Sequence, residues 1–199
     1  WLAFDAGVAA MAPLSLLCAP LSRTSALWRA LGAPREHAVG LHRFCAHATL
    51  ALLSFHAIGY FVAWGAKSLR TLLSEVLDGL PGQGGLSPGI NNAAGLAAWL
   101  VGLVIWRRST ERARRRDYAG FLLAHRLHYA FALLACVHWP GCVAWLAPSL
   151  VLLAADRAVC ARAALRTAAA LRASLGDGGE ERGAVPALTT VLVRLAPPG

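Results

Sequence analysis

Apolar residues along this chain come in unbroken runs, neither alternating nor confined to one side of a helical turn. Short stretches rich in arginine, glycine and proline separate them. Five runs, at about 1–21, 38–64, 90–106, 119–139 and 141–156, come near the roughly 20 apolar residues that carry a helix across about 30 Å of hydrocarbon. A helix apolar on every side must be surrounded by protein or lipid. The pattern therefore predicts an all-α membrane protein, a transmembrane helix bundle with about five spans present. The first run lacks the basic leading segment and the initial Met of a signal peptide and reads as a span. The last is short and holds Pro148, which a membrane helix tolerates where neighbours satisfy the freed backbone. The chain opens at Trp1 and stops at Gly199 in mid-pattern, so the natural protein is expected to be longer.

At 199 residues, 57% of them hydrophobic and 15% charged, the chain holds more apolar side chain than one soluble domain of this length hides. Its mean hydropathy is +0.54. Of the 19 basic residues, only Lys67 and Arg70 lie in the loop 65–89. The rest flank the other ends of the runs, counting Arg43 and Arg126 with the helix entrances near them. Lysine and arginine accumulate in short cytoplasmic loops, which predicts residue 1 outside, the C-terminus in the cytosol, and runs 38–64 and 119–139 both passing from inside to outside. The pI near 10.4 is accounted for by these flanking arginines and anionic lipid, and no nucleic-acid partner is expected. Cys18, Cys45, Cys136, Cys142 and Cys160 show no CxxC, and the four in or beside the runs read as buried thiols. No CxxCH, Walker A loop or GxGxxG occurs.

Ionisable groups at membrane depth are costly and mark function, and two runs carry histidines there. His42 and His56 are 14 residues apart, and His125 and His138 are 13 apart. These spacings span about 21 and 20 Å of helix, too far for the four to surround one ion. Because the two runs are parallel, His42 lies level with His125 and His56 with His138. At about 100° per residue, 14 residues return within about 40° of the same face, whereas 13 miss by about 140°. A π-bulge or other local distortion is therefore expected between His125 and His138. His47 and His128 read as helix-contact or hydrogen-bonded histidines, and His37 as interfacial. Two imidazoles facing one another across two helices, twice over, suit two b-type haems, each with a nitrogen on both sides of the iron. Two other readings stay open on the residues alone. One is a metal-ion path, although all ten acids fall in loops or at span edges where such paths use buried carboxylates. The other is four unrelated histidines in helix contacts.

With these pairs go the dipeptide His42–Arg43 and the run "STERARRRDYAGFLLAH" leading into His125. On these features the chain resembles, over about residues 1–172, the haem-binding transmembrane domain shared by ferric-chelate reductases and NADPH oxidases. The resemblance implies two stacked haem b groups, one on His42 and His125 and one on His56 and His138, in a bundle of six spans whose first would precede Trp1. It implies a haem domain over 1–160 and a cytosolic helix and linker over 161–186. At 187–199, where "ALTTVLVRLAPPG" alternates as a strand does, it implies the start of a cytosolic β-rich FAD-binding dehydrogenase domain. FAD and NADPH would bind in that domain.

The activity so implied is that of an NAD(P)H-dependent transmembrane oxidoreductase of the plasma membrane, passing electrons outward to a ferric chelate or dioxygen. Superoxide-forming members commonly carry another histidine four residues after the outer ligand of the first haem helix. Tyr60 stands there, which favours ferric iron. The alternatives are a superoxide-generating NADPH oxidase and a non-catalytic haem-bearing membrane subunit. Arg43 and Arg126 each follow an inner histidine, at the depth where haem propionates would emerge; snorkelling to the lipid surface competes with that use. Phe131 lies midway between His125 and His138 and fits the gap between the two macrocycles, although ordinary aromatic packing predicts it equally. Trp64 and Trp139 fall at the outer boundary and Trp28 and Trp106 near the inner one. Leu80–Gly89 reads as a flexible external loop over the outer haem.

Overall fold

The computed structural model describes residues 1–20, 25–32, 34–77 and 89–177, and every regular element among them is an α-helix. In order these are α1 (Leu2–Ala9), α2 (Met11–Leu17), α3 (Ala26–Ala30), α4 (Arg35–Gly65), α5 (Leu69–Val76), α6 (Asn92–Ser109), α7 (Glu111–Arg116), α8 (Tyr118–His125), α9 (His128–His138) and α10 (Cys142–Asp177). Their boundaries follow local chemistry. Pro34 precedes α4 in extended conformation, and no further proline interrupts its 31 residues. Ser68, Asn91, Thr110 and Asp117 each accept, through the side chain, a backbone N–H in the first turn of α5, α6, α7 and α8. Such caps satisfy amides that have no partner within the helix.

Residues 1–157 form one compact unit. At its centre α6 packs against α4, α8 and α9, while α1 and α2 pack along α4. Buried Ala94, Ala98 and Gly102 recur every four residues on α6, and such small side chains let membrane helices approach closely. The core gathers Ala10, Met11, Leu14, Ala98, Phe131, Cys142 and Leu146. Indole and hydroxyl groups join the helices where no water is available: Trp99 Nε1–H donates to Ser54 Oγ at 3.0 Å, and the Ser15 and Ser149 hydroxyls meet at 2.9 Å. Outside, Phe44, Leu123 and Leu133 are 69%, 71% and 67% exposed, an apolar surface suited to lipid.

Among the described residues, three helices are long and apolar enough to cross a membrane: Glu36–Gly65, Tyr118–His138 and Cys142–Leu171. The expected spans at 1–21 and 90–106 correspond to shorter helices, with Leu2–Leu17 divided at Ala10 and α6 running 18 residues into Arg107 and Arg108. The loop 65–89 contains an unforeseen amphipathic helix, α5, with Leu69 and Leu73 exposed. The run expected at 141–156 and the arginine-rich stretch after it lie on one helix. α10 continues for 36 residues through both, because the change from apolar to basic composition includes no helix breaker. From Ala158 the chain forms a second unit, helical as far as Asp177. The linker beyond 177, the strand expected over 187–199 and most of the loop at Leu80–Gly89 lie outside the described residues.

One acid departs from the expected placement at a span edge. Asp156 is buried within α10 and faces α3, where its Oδ1 accepts from Ser25 Oγ at 2.8 Å and from the Leu27 N–H at 3.1 Å. Asp156→Ala leaves the buried Ser25 hydroxyl and the half-buried Leu27 N–H without this acceptor and is expected to cost about 1–3 kcal/mol. A lowered thermal unfolding midpoint in detergent micelles, with Asp156→Asn intermediate, checks this; an unchanged midpoint refutes it.

Candidate functional site

The structure brings the four spaced histidines together as two pairs. The His42 and His125 rings have their centres 6.1 Å apart and are inclined at 60°. The His56 and His138 rings are 6.2 Å apart at 75°. A first-row metal sits about 2 Å from an imidazole nitrogen. Allowing about 1.1 Å from nitrogen to ring centre, two imidazoles on opposite sides of one ion have centres about 6 Å apart. Both separations fit. α4 and α9 meet less closely than either meets α6, so the helices bearing the rings are spaced apart by a third. Among the described residues no group of three or more His, Cys, Asp or Glu side chains is placed to hold a metal ion. Two neighbouring imidazoles with no third His, Cys, Asp or Glu beside them among the described residues would fit a group that brings its own further ligands, as a haem does.

The two levels differ in what holds the rings. His56 Nδ1–H donates to the Ala3 carbonyl at 2.8 Å, and His138 Nδ1–H to the Asn91 carbonyl at 2.8 Å. A donor at Nδ1 leaves Nε2 as the free lone pair. Nδ1 of His42 and of His125 is buried without a hydrogen-bond partner. Gly7 and Gly95 face the hydrogen-bonded rings directly: an added Cβ would lie 2.5 Å from His56 and 2.6 Å from His138. The sequence reading missed these glycines and both carbonyls. Its available signal was a glycine inside an apolar helix, which marks close backbone approach.

The distortion expected between His125 and His138 is present, but it is not a π-bulge. α8 ends at His125 and α9 begins at His128, with Leu127 N–H bonded to the Ala124 carbonyl and Tyr129 N–H to the Arg126 carbonyl. These are three-residue spans of the tighter 3₁₀ kind. Thirteen residues at about 100° each fall about 140° short of four turns; a 3₁₀ turn, near 120° per residue, adds rotation, whereas a π turn removes it. The break also frees the His125 carbonyl, which His128 Nδ1–H takes up at 2.6 Å.

The other predicted residues fall as follows. Phe131 is buried between the levels, packed near Gly102 of α6 and Leu50 of α4. His47 accepts from Trp106 Nε1–H at 2.9 Å, a contact between α4 and α6. Tyr60 stands edge-on to His56, with ring centres 5.1 Å apart. An apolar cavity surrounds the His56–His138 level, lined also by Phe4, Tyr60, Trp64, Trp99 and Phe131. Arg43 and Arg126 are exposed, and neither has an ion-pair partner among the described residues. Arg114, not singled out from the sequence, lies over the Phe121 ring, whose centre is 5.3 Å from that of His125. Its Nε is buried without a partner.

Residues 6–136 match the family profile described as ferric reductase like transmembrane component. That segment includes His42, His56 and His125 and ends two residues before His138. The chain is 28% identical over 125 residues to Ferric reduction oxidase 2 of Arabidopsis thaliana, covering 63% of this chain and 16% of the relative. It is 28% identical over 125 residues to Probable ferric reduction oxidase 1, covering 63% and 17%, and 28% identical over 130 residues to Ferric reduction oxidase 7, chloroplastic, covering 63% and 16%, both of the same plant. The chain thus spans about one sixth of the length of these relatives. No solved structure matches it.

Replacing His42, His56, His125 or His138 singly by Leu is expected to remove one of two metal equivalents, because each pair loses one of its two facing nitrogens. His47→Leu and His128→Leu are expected to keep both. Iron per chain after purification measures this, and loss of a full equivalent in His47→Leu or His128→Leu would overturn the assignment.

Proposed function

The chain belongs to the ferric reductase-like transmembrane component family, and from that premise we propose that it is the membrane-embedded part of an oxidoreductase carrying electrons from cytosolic NADPH and FAD, through two bis-histidine haem b groups, to ferric chelate outside. FAD and NADPH belong to a domain joined at the C-terminal side. The observation carrying this reading is the pair of imidazole gaps, 6.1 and 6.2 Å, one above the other along α4 and α8–α9. His42 with His125, and His56 with His138, would hold haem there, and haem would supply reversible one-electron exchange.

The chain's own residues then have separable tasks. His42 and His125 hold the group nearer the arginine-rich ends of α6 and α7, and His56 and His138 the group nearer α5. Phe131, buried between the levels, excludes water from the gap and keeps the two groups apart. Arg43, Arg126 and Arg114 offer guanidinium partners to porphyrin carboxylates at the His42–His125 end, Arg114 with a buried and unpartnered Nε. The apolar residues around His56 and His138 keep a low-dielectric site in which only two imidazoles reach the metal. Arginine-rich α7 and the basic end of α6 support a cytosolic position for that side of the bundle, by the distribution of positive charge. Two features support ferric iron as acceptor over dioxygen: the relatives' names, ferric reduction oxidases, and the placement of Tyr60, rather than a second histidine, beside His56.

Pyridine haemochrome analysis of the purified protein is expected to give two haems per chain, with the low-spin spectrum of bis-imidazole iron. A ratio of one or none would sink the two-site reading. Expressed at full length in sealed cells, the protein is expected to reduce an impermeant external ferric chelate at the expense of internal NADPH. If external superoxide dominates, and superoxide dismutase abolishes iron reduction, the acceptor is dioxygen.

A further inference from the structure

The rings of His56 and His138 rest on the same device, built twice by segments unrelated in sequence. On α1 the Ala3 carbonyl accepts from His56 Nδ1–H at 2.8 Å, and Gly7, four residues on, leaves the ring room to lie against backbone, since a Cβ there would come within 2.5 Å of it. At the start of α6 the Asn91 carbonyl accepts from His138 Nδ1–H at 2.8 Å, and Gly95, again four residues on, faces the ring, where a Cβ would come within 2.6 Å. Asn91 N–H also donates to the His138 carbonyl at 3.0 Å, so backbone and side chain are latched together. A third glycine admits α1 to this arrangement. A Cβ on Gly59 would stand 2.8 Å from the Ala3 Cβ, one turn from His56 on α4. Neither His42 nor His125 has such support: each Nδ1 is buried and unpartnered, and among the described residues no glycine lies against either ring.

We infer that Gly7, Gly59 and Gly95 are positioning residues that clamp one imidazole pair and leave the other unclamped, so that the two metal sites differ in ligand strength and rigidity. This rests on the haem reading above. An imidazole that donates its Nδ1 proton to a carbonyl is the more basic ligand at Nε2. A more basic axial ligand favours the ferric state, so the clamp holds the midpoint potential at His56 and His138 below the value it would have with free rings. It also fixes the ring planes, because rotation of either imidazole breaks its hydrogen bond or drives the ring into the glycine.

Spectroelectrochemical titration of the purified haem-loaded full chain tests this. Gly7→Ala and Gly95→Ala, which displace the rings, and Gly59→Ala, which displaces the Ala3 carbonyl without touching a ring, are expected to raise the midpoint of one haem only. That haem is the component lost in His138→Leu. Gly40→Ala, where nothing lies within 4 Å of the added carbon, is expected to leave both midpoints unchanged. If the variants fail to accumulate, the unmodified protein decides. Electron spin echo modulation of the oxidised form should show remote imidazole nitrogens of the hydrogen-bonded kind at one haem and of the free kind at the other. Unchanged midpoints in both Gly59→Ala and Gly95→Ala, or identical remote nitrogens at the two haems, would overturn the inference. Absence of two haems from the unmodified protein would instead overturn the reading on which it rests.

Discussion

An imidazole held in hydrocarbon needs a partner at each nitrogen, because no water is present to supply one. The four paired histidines meet half of that need with protein, and only at one level. At His56 and His138 a backbone carbonyl takes Nδ1–H, while each ring faces its counterpart across about 6 Å. The placement of the neighbouring helices follows from that requirement. α1 lies along α4 close enough for the Ala3 carbonyl to reach a ring, α6 starts where the Asn91 carbonyl reaches another, and α6 stands between α4 and α9 so that the facing rings keep their separation.

α6 therefore has two duties in one helix. Its small residues, Ala94, Ala98 and Gly102, bring it close to both neighbours, and its bulkier Trp99 and Trp106 reach α4 through hydrogen bonds to Ser54 and His47. These indole contacts make His47 a fastener between helices. His128 serves similarly, closing the carbonyl that the 3₁₀ turn exposes beside His125. Thus one further histidine ties α4 to α6 and another satisfies a backbone carbonyl, while four others are presented to one another.

The parts of this arrangement legible in the sequence are those set by helical rise alone. Spacings of 14 and 13 on parallel runs fix which histidines share a level, whatever the helices' rotation, and the rings meet accordingly. Rotation was harder to read. The 13-residue spacing announced a distortion before His138, but a deficit of rotation calls for overwinding, and the 3₁₀ turn at Arg126 and Leu127 supplies part of it, about 60°, where a π-bulge would enlarge the deficit. The continuity of α10 was hidden because arginine and alanine extend a helix as readily as leucine does. The supports of His56 and His138 were hidden for another reason. Two are main-chain carbonyls, which carry no residue identity, and glycine in a membrane helix serves several kinds of close approach.

That last point bears on inheritance as much as on structure. At most positions in a membrane bundle a codon change exchanges one side chain for another, and neighbouring lipid or a spare rotamer absorbs the difference. Gly7 and Gly95 have no smaller alternative, so every missense change there adds atoms toward an imidazole less than 3 Å from the new carbon. A Phe44 that faces outward can drift through leucine, valine or methionine over many generations. The two glycines can only be kept, or exchanged together with the helix positions around them. Between diverging copies of this gene, the lipid-facing exterior would therefore record time, and these two codons would stand still.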